Sequence, residues 1–371
     1  MGTVSITKID QNLKNALIKS LDLIGGLSSY VSQNDTVLLK PNLNGAEGTT
    51  DINLTEALIQ LLLDLNVKEI FIGESTFGNH QITEACFQKT GFTALAEKYQ
   101  LRLVNFNKSE AIAVPVKGPL ILQRLQIAKE FFEATKVINL PVMKVHYATG
   151  ITLALKNMKG VLVADEKKHF HEMGLDQAIV DLNNSIKTHL NIVDAIVCME
   201  RMGPRGGDPV RLDMILAGAN PWEVDVVGSR IMGYTLDEVG HLKQYLESNG
   251  IDETMMNQIE IRGASIDEVR YPFRKVAMDA IIPPEFKVHN INACSSCMNA
   301  LILSCSFLDG KPKSELDVYL GSIIPDGAGE SKFKLAFGNC CKPGSDCDRK
   351  IKGCPPYPFE LNRGLKEVGI L

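Results

Sequence analysis

The chain has 371 residues, 45% of them hydrophobic and 22% charged, a balance that supports two lobes with cores of their own. Its net charge of -5 and single Trp argue against a nucleic-acid partner, which would need a basic face with an aromatic or helical reader. No apolar run reaches the roughly 18 to 20 residues of a membrane helix, the richest being Met298 to Leu308, so no membrane span is expected. No signal-peptide pattern is read at its start, and a reducing, cytoplasmic compartment is the expectation.

Leu13, Leu17, Leu21 and Ile24 recur three or four apart and stop at Gly25-Gly26, which predicts a covering helix within residues 12 to 31. Thr36 to Leu39 has strand length and delivers Lys40-Pro41-Asn42 to a Gly- and Asn-rich loop, the kind of place where open sheets bind ligands. Asn53 with Glu56 three residues on predicts the capped start of a helix over 54 to 66. Strand 69–73, helices near 81–99 and strand 101–106 complete a βαβαβ run, hence a parallel sheet. Residues 111–116 and 120–125 read as a hairpin of antiparallel edge strands.

Lys136 to Leu140 is a strand running into Lys144, Val145 and His146, and Ala148 to Gly160 reads as helical. The polar stretch from Gly160 to Gly174, with His169 and His171, reads as a mobile loop or lid. Helix 175–188, strands 191–198 and 214–217, helices 222–232 and 235–248 and strand 258–262 follow. Beyond Pro283-Pro284 the regular alternation ends. The expected architecture is an α/β body over 1–284, with a mostly parallel sheet and flanking helices, and a small irregular cysteine-rich lobe over 285–371.

Seven of the nine cysteines follow residue 290. Cys294-Ser295-Ser296-Cys297 lets two sulfurs from one turn reach one metal, and a distant Cys before Pro, Cys354-Pro355, closes many iron-sulfur sites. Cys294, Cys297, one thiol of the adjacent pair Cys340-Cys341, and Cys354 are the predicted ligands of a 4Fe-4S cluster. Zinc and disulfides are the alternatives; zinc ribbons normally return with a second C-x-x-C, and disulfides do not suit a reducing compartment. Adjacent thiols diverge, so Cys341 and Cys347 are left open, while Cys305, Cys86 and Cys198 read as packing residues.

The chain resembles the domain-of-unknown-function 362 family, whose shared segments stand here as Lys40-Pro41-Asn42, Pro141 to His146, Thr152 to Asn157 and Gly203 to Gly207. The likeness spans most of residues 35 to 265. It implies a fold, and many members carry iron-sulfur cysteines similar to the Cys-x-x-Cys, Gly-Asn-Cys and Gly-Cys-Pro-Pro elements of this chain; the Gly-Asn-Cys likeness selects Cys340, giving Cys294, Cys297, Cys340 and Cys354 as the ligand set. No settled reaction comes with it.

Lys40, Lys144, Lys156 and Lys159 fall at strand ends or beside them in an acidic protein, which points to a small anionic substrate. His146 is suited to moving a proton or holding a metal, with Lys144 on the same side of an extended segment. In this reading His146, Lys144 and Lys156 are catalytic, and Lys40, Asn42, Asn157 and Lys159 bind substrate. Each lysine alone also fits a solvated charge, each Asn a turn or helix end, and His146 a hydrogen-bonded core histidine. His169 and His171 lack an anchored third ligand. Gly203 to Gly207 offers backbone N-H groups to an anion without a nucleotide fingerprint.

The expected function is an oxidoreductase component that couples the cluster to the bound anion. A non-redox acid-base or metal-dependent enzyme with a structural cluster, or a pure electron-transfer or assembly partner, are the alternatives. After residue 285 the chain has 11 Lys+Arg against 9 Asp+Glu, and Lys342, Arg349, Lys350 and Lys352 lie among the proposed ligands. They suit docking of an acidic electron carrier such as ferredoxin or flavodoxin.

Overall fold

A computed structural model describes residues 2–45, 47–204, 206–276, 281–291, 293, 295–321, 329–342 and 347–371, without the side chains at 164, 165, 168, 171, 172, 291, 295, 296, 299 and 358. The chain divides into two units, Met1–Phe170 with Leu175–Val276, and His171–Gly174 with Ala277–Leu371.

The strands of the first unit are β1 (Thr3–Lys8), β2 (Thr36–Pro41), β3 (Glu69–Glu74), β4 (Arg102–Asn105), β5 (Ala111–Pro115), β6 (Arg124–Ala128), β7 (Lys136–Leu140), β8 (Val142–His146), β9 (Gly150–Thr152), β10 (Leu190–Glu200), β11 (Asp208–Gly218) and β12 (Glu260–Gly263). Its main sheet has the order β12-β1-β11-β10-β7-β2-β3-β4, with β8 pairing β10 and β9 pairing β8. From β10 through β7, β2 and β3 to β4 every pairing is parallel. Strand β2 is buried along its whole length, as a central strand with both faces covered must be.

Helices α1 (Leu13–Asp22), α2 (Ile52–Asp64), α3 (His80–Lys89), α4 (Phe92–Tyr99), α5 (Ala154–Asn157), α6 (Ala164–Met173), α7 (Leu175–Ser185), α8 (Pro221–Ile231) and α9 (Gly240–Ser248) flank it. Leu17, Leu21, Leu54, Leu58 and Leu62 of α1 and α2 pack with Val37, Leu39, Ile70 and Ile72 of the strands in one core. The other face buries Leu38, Phe71, Phe106, Val137, Met158, Phe170 and Leu182.

Several local expectations change. Asp51, not Asn53, caps α2, accepting from Asn53 N at 2.7 Å and Leu54 N at 3.2 Å. Its carboxylate reaches two orphan amides that Asn53, already inside the helix, cannot serve. The hairpin forms its own two-stranded sheet, β5 with β6, rather than an edge of the main one. Ala148 to Gly160 is split into β9, the single turn α5 and a 3-10 turn over Met158–Val161. The expected lid is helix α6, tied down because Phe170 and Lys167 are buried along it. Strand β1, which hydrophobic periodicity did not reveal, pairs antiparallel with β11 and parallel with β12.

The second unit was expected to be irregular, yet it holds a four-stranded parallel sheet, β13 (Phe286–Ile291), β14 (Leu316–Gly321), β15 (Phe333–Phe337) and β16 (Arg349–Ile351), in that order. Leu301, Leu361 and Leu365, from the helices Ser295–Ser306 and Pro358–Glu367, pack with Leu316, Val318, Leu335 and Phe337. The strands are three to six residues long, and the β15–β16 connection carries Cys340, Cys341 and Cys347, which blurs the apolar pattern in sequence.

Phe71 is fully buried, whereas Leu63 is 44% exposed. Phe71→Ala is expected to lower the urea unfolding free energy by about 3 to 5 kcal/mol, and Leu63→Ala by less than about 0.5 kcal/mol.

Candidate functional site

The carboxyl ends of β2, β3 and β8, with the α5 turn, gather five lysines. Lys40, fully buried at the end of β2, forms an ion pair with Glu74, buried at the end of β3, and also donates to Pro41 O at 2.8 Å. Burial pushes Lys40 down and Glu74 up, and their mutual attraction opposes both shifts. Gly160 lies so close that an added Cβ would stand 2.2 Å from either Glu74 carboxylate oxygen. Any side chain there would push the carboxylate from its place.

Lys167 of α6 is the next cation, and sequence reading passed it over as part of a loop. Its Nζ donates to Ser75 O at 2.6 Å and Thr76 O at 3.1 Å, and it contacts Ser75 Oγ. Burial holds this amine well below the ordinary lysine range against the pull of Glu74, and Lys159 and Lys40 add to the depression. Lys159 Nζ sits 5.3 Å from the centre of the Phe77 ring.

Lys144 and Lys156 continue the row. Lys144 Nζ donates to Asn42 Oδ1 and to Gly48 O, both at 2.7 Å. Lys156 is partly exposed and donates to Thr152 Oγ1 at 3.3 Å. Loss of water around it, then the charges of Lys159 and Lys144, hold Lys156 well below the ordinary lysine range, with Asp176 opposing.

Asn42 and Asn157, expected to hold substrate, are members of a chain of amides. Asn42 Nδ2 donates to Asn157 Oδ1 at 2.7 Å, Asn157 Nδ2 to Asn139 Oδ1 at 2.8 Å, and Asn139 Nδ2 to Asn191 Oδ1 at 3.0 Å. Asn191 Nδ2 ends it on Ala219 O at 2.9 Å. This chain crosses the strand ends and aims Asn42 Oδ1 at Lys144, a positioning task that local sequence does not reveal.

His146 is 4% exposed, and its Nδ1 accepts Ala148 N at 3.1 Å, which puts a neutral ring's proton on Nε2. His146 also stacks on Tyr147, with ring centres 5.0 Å apart. The Gly203 to Gly207 segment buttresses this strand: Tyr147 N donates to Gly203 O at 3.1 Å, and an added Cβ on Gly203 would stand 1.7 Å from Val145 O. His169 is exposed on a helix rather than in an extended loop, and the side chain of His171 lies outside the described residues.

Two buried aspartates shape the edge. Asp225 of α8 accepts Ala154 N at 2.6 Å and Leu155 N at 3.0 Å, so it anchors the turn that carries Lys156 and Asn157. Asp194 accepts Asp51 N at 2.6 Å and Ile196 N at 3.0 Å, tying the loop after β2 to β10. Burial pushes each carboxyl up to about 7, against the pull of its backbone donors. His241 of α9 is fully buried with neither ring nitrogen hydrogen-bonded among the described residues; its Nδ1 stands 3.6 Å from Asp176 Oδ1. Burial lowers its pKa, Asp176 opposes, and Lys156 lowers it further.

In the second unit, the parallel register sends the residues after β13, β15 and β16 to one sheet edge: Cys297 after β13, Cys340 after β15 and Cys354 after β16. The last two turns are laced together, Asn339 N donating to Gly353 O and Gly353 N to Asn339 Oδ1, each at 2.8 Å. An added Cβ on Gly338 would stand 2.9 Å from Cys297 Sγ, so the turn before Cys340 lies against that sulfur. Cys297 is buried, and Cys340 and Cys354 are exposed. The fourth predicted ligand, Cys294, lies outside the described residues. Among the described residues no three His, Cys, Asp or Glu side chains are already gathered as metal ligands. A soft, all-thiol donor set at one edge nevertheless fits an iron-sulfur cluster.

Cys341 is buried with Tyr319 and Ala336, Cys347 packs against that group, and Cys305 is buried in its helix with its thiol pushed up to about 12 by desolvation. Among the cations expected to surround the thiols, Lys350 Nζ is engaged by Cys341 O at 2.6 Å and Asn339 O at 3.1 Å, and Arg349 by Glu367. Lys342 and Lys352 are exposed.

Asp225 generates a pH signature. Between about pH 4 and 7 the folded protein keeps a proton on this carboxyl that the unfolded chain has released. Its stabilising contribution is therefore present at low pH and lost as pH rises to about 7. Asp225→Asn is expected to remove that decline, so the unfolding free energy of the native protein should fall relative to the variant by up to about 4 kcal/mol across this window, read by urea titration at several pH values.

A family model described as Domain of unknown function (DUF362) matches residues 37–230. Thylakoid-associated protein sll1697 of Synechocystis sp. is 29% identical over 224 residues, which cover 57% of this chain and 67% of that protein. The lactate racemase apoprotein of Thermoanaerobacterium thermosaccharolyticum aligns with a TM-score of 0.40 and 12% identity over 86% of this chain and 69% of that one, a likeness that bears on neither mechanism nor ligand. No helix among the described residues is long and apolar enough to cross a membrane. The family match takes in all five lysines, His146 and the asparagine chain and stops short of the cysteine-bearing unit: the chain belongs to the DUF362 family.

Proposed function

We propose that the chain is a 4Fe-4S oxidoreductase component whose first unit binds a small anion at the lysine edge and whose second unit holds the cluster through Cys294, Cys297, Cys340 and Cys354. One observation carries the anion: Lys40, Lys144, Lys156, Lys159 and Lys167 form an electrostatically linked row in which burial and mutual repulsion depress the amines of Lys156 and Lys167, and Lys40 is ion-paired to Glu74. A carboxylate or phosphate would strengthen every ammonium it meets. Lys144 and Lys159 hold the anion, Lys156 meets its reacting end, and His146 Nε2 is the proton donor.

The reading of the second unit is supported by the thiols leaving one sheet edge. A 4Fe-4S cluster, when bound, stores or releases one electron. The exposed Cys340 and Cys354, with Lys342 and Lys352 and the exposed rings of Phe307, Tyr357 and Phe359, suit contact with an acidic carrier such as ferredoxin or flavodoxin. A non-redox acid-base enzyme with a structural cluster is the second reading, favoured by the depressed Lys156 amine.

Thermal unfolding with phosphate and small carboxylates tests the anion. A ligand at about one hundred times its Kd should add about 2.7 kcal/mol. Lys156→Met should lose that response while leaving the ligand-free protein unchanged or up to about 1 kcal/mol more stable, since replacing a desolvated charge by an apolar chain is often neutral or better. An undiminished response in the variant refutes the site.

Iron and acid-labile sulfide in anaerobically purified protein test the cluster. Cys297→Ser, Cys340→Ser and Cys354→Ser should each deplete both, and Cys305→Ser should retain them. Stoichiometric zinc without sulfide would replace the iron-sulfur reading by a zinc site.

A further inference from the structure

Lys156 differs from the other cations of the row in how little its amine is held. Lys40 has Glu74, Lys144 has Asn42 Oδ1 and Gly48 O, and Lys167 has two backbone carbonyls. Lys156 Nζ has a single long hydrogen bond, to Thr152 Oγ1 at 3.3 Å, and no carboxylate pairs with it among the described residues. The charged groups that act on it are Lys144, Lys159 and Asp176. Buried His241, neither of whose ring nitrogens is hydrogen-bonded among the described residues, faces Asp176 at 3.6 Å and is a second polar group on which the charge of Lys156 acts. The backbone beneath Lys156 is fixed, because Asp225 grips Ala154 N and Leu155 N. An amine on a rigid turn of a partly exposed residue, held well below the ordinary lysine range first by desolvation and then by the charges of Lys159 and Lys144, is the arrangement that suits lysine to act as a nucleophile rather than a counter-ion.

We propose that Lys156 captures the carbonyl carbon of a 2-oxo acid as a Schiff base. The inference rests on the anion-binding reading of the same edge and adds the class of the anion. A 2-oxo acid carries its carboxylate on the carbon next to its carbonyl, so the carboxylate would meet the Lys144 and Lys159 ammoniums, whose charges act on Lys156, while the carbonyl meets the Lys156 amine. The neutral Nζ adds to the carbonyl carbon to give a carbinolamine. Its C-O bond then breaks, the oxygen leaving as water with the two protons that the amine brought, and a C=N bond forms. One proton from solvent converts the imine to the iminium, which withdraws electrons from the neighbouring bonds. No oxidant or reductant enters these steps. Lys156 is a catalytic residue in this scheme, and Asp225 is a positioning residue.

The test uses the full-length protein with pyruvate and 2-oxoglutarate as probes, sodium borohydride to trap the imine, and mass spectrometry of the intact chain and its peptides. A single reduced adduct on the peptide that contains Lys156 is expected from at least one probe, with the adduct lost in Lys156→Arg, which keeps the charge and lacks a nucleophilic amine. Peptide mapping of the native protein locates the adduct even if the variant fails to fold. Absence of an adduct with both probes, or one scattered over surface lysines, overturns the Schiff base. The same samples are melted with and without each probe. A rise in melting temperature without trapping leaves the anion site standing and removes only the imine, whereas no rise with any carboxylate or phosphate removes the anion site itself.

Discussion

The ion pair of Lys40 and Glu74, closed off at the adjacent ends of β2 and β3, is the constraint around which the candidate site is arranged. Two charges taken out of water are tolerable only in close contact with further polar partners, and removing either would leave the other stranded. The consequences reach outward. Gly160 has no side chain because the Glu74 carboxylate occupies the space, and Lys167 reaches from α6 into the same region to hold the backbone of Ser75 and Thr76. A stretch whose composition reads as a solvated loop is thereby locked against the sheet.

Buried aspartates elsewhere in the first unit hold backbone amides. Asp181 accepts Leu120 N, Ile121 N and Leu122 N at 2.7 to 2.9 Å, Asp194 takes Asp51 N, and Asp225 takes two amides of α5. Each acid satisfies backbone donors that irregular connections would otherwise leave unpaired in the interior. These three carboxylates are thus committed to holding loops.

The second unit uses another property of parallel strands. Because β13 to β16 run the same way, every residue that follows a strand emerges at one edge, and cysteines far apart in the chain are brought toward each other by register alone. The hydrogen bonds between the Asn339 and Gly353 turns draw two of these exits together. Cys341, one residue from Cys340, is instead buried with Tyr319 and Ala336, which is the divergence expected of adjacent side chains.

Sequence alone determined the α/β class of the first unit, since apolar runs such as Thr36 to Leu39 and Lys136 to Leu140, alternating with helical periodicity, leave few other ways to bury both faces of a strand. It also singled out Lys40, Lys144, Lys156 and Lys159 but not Lys167, together with His146 and the thiols, because those residue types are rare together at strand ends and in Cys-x-x-Cys turns. Only the tertiary structure decided what surrounds them. That Lys40 meets Glu74, that Asp225 grips the turn of Lys156, and that Asn42 and Asn157 belong to a chain of amides are contacts between residues distant in the chain. Periodicity and capping act over three or four residues, whereas desolvation and charge balance depend on every group that folding brings within a few ångströms, so the chemistry of the edge became legible only once the strands were paired.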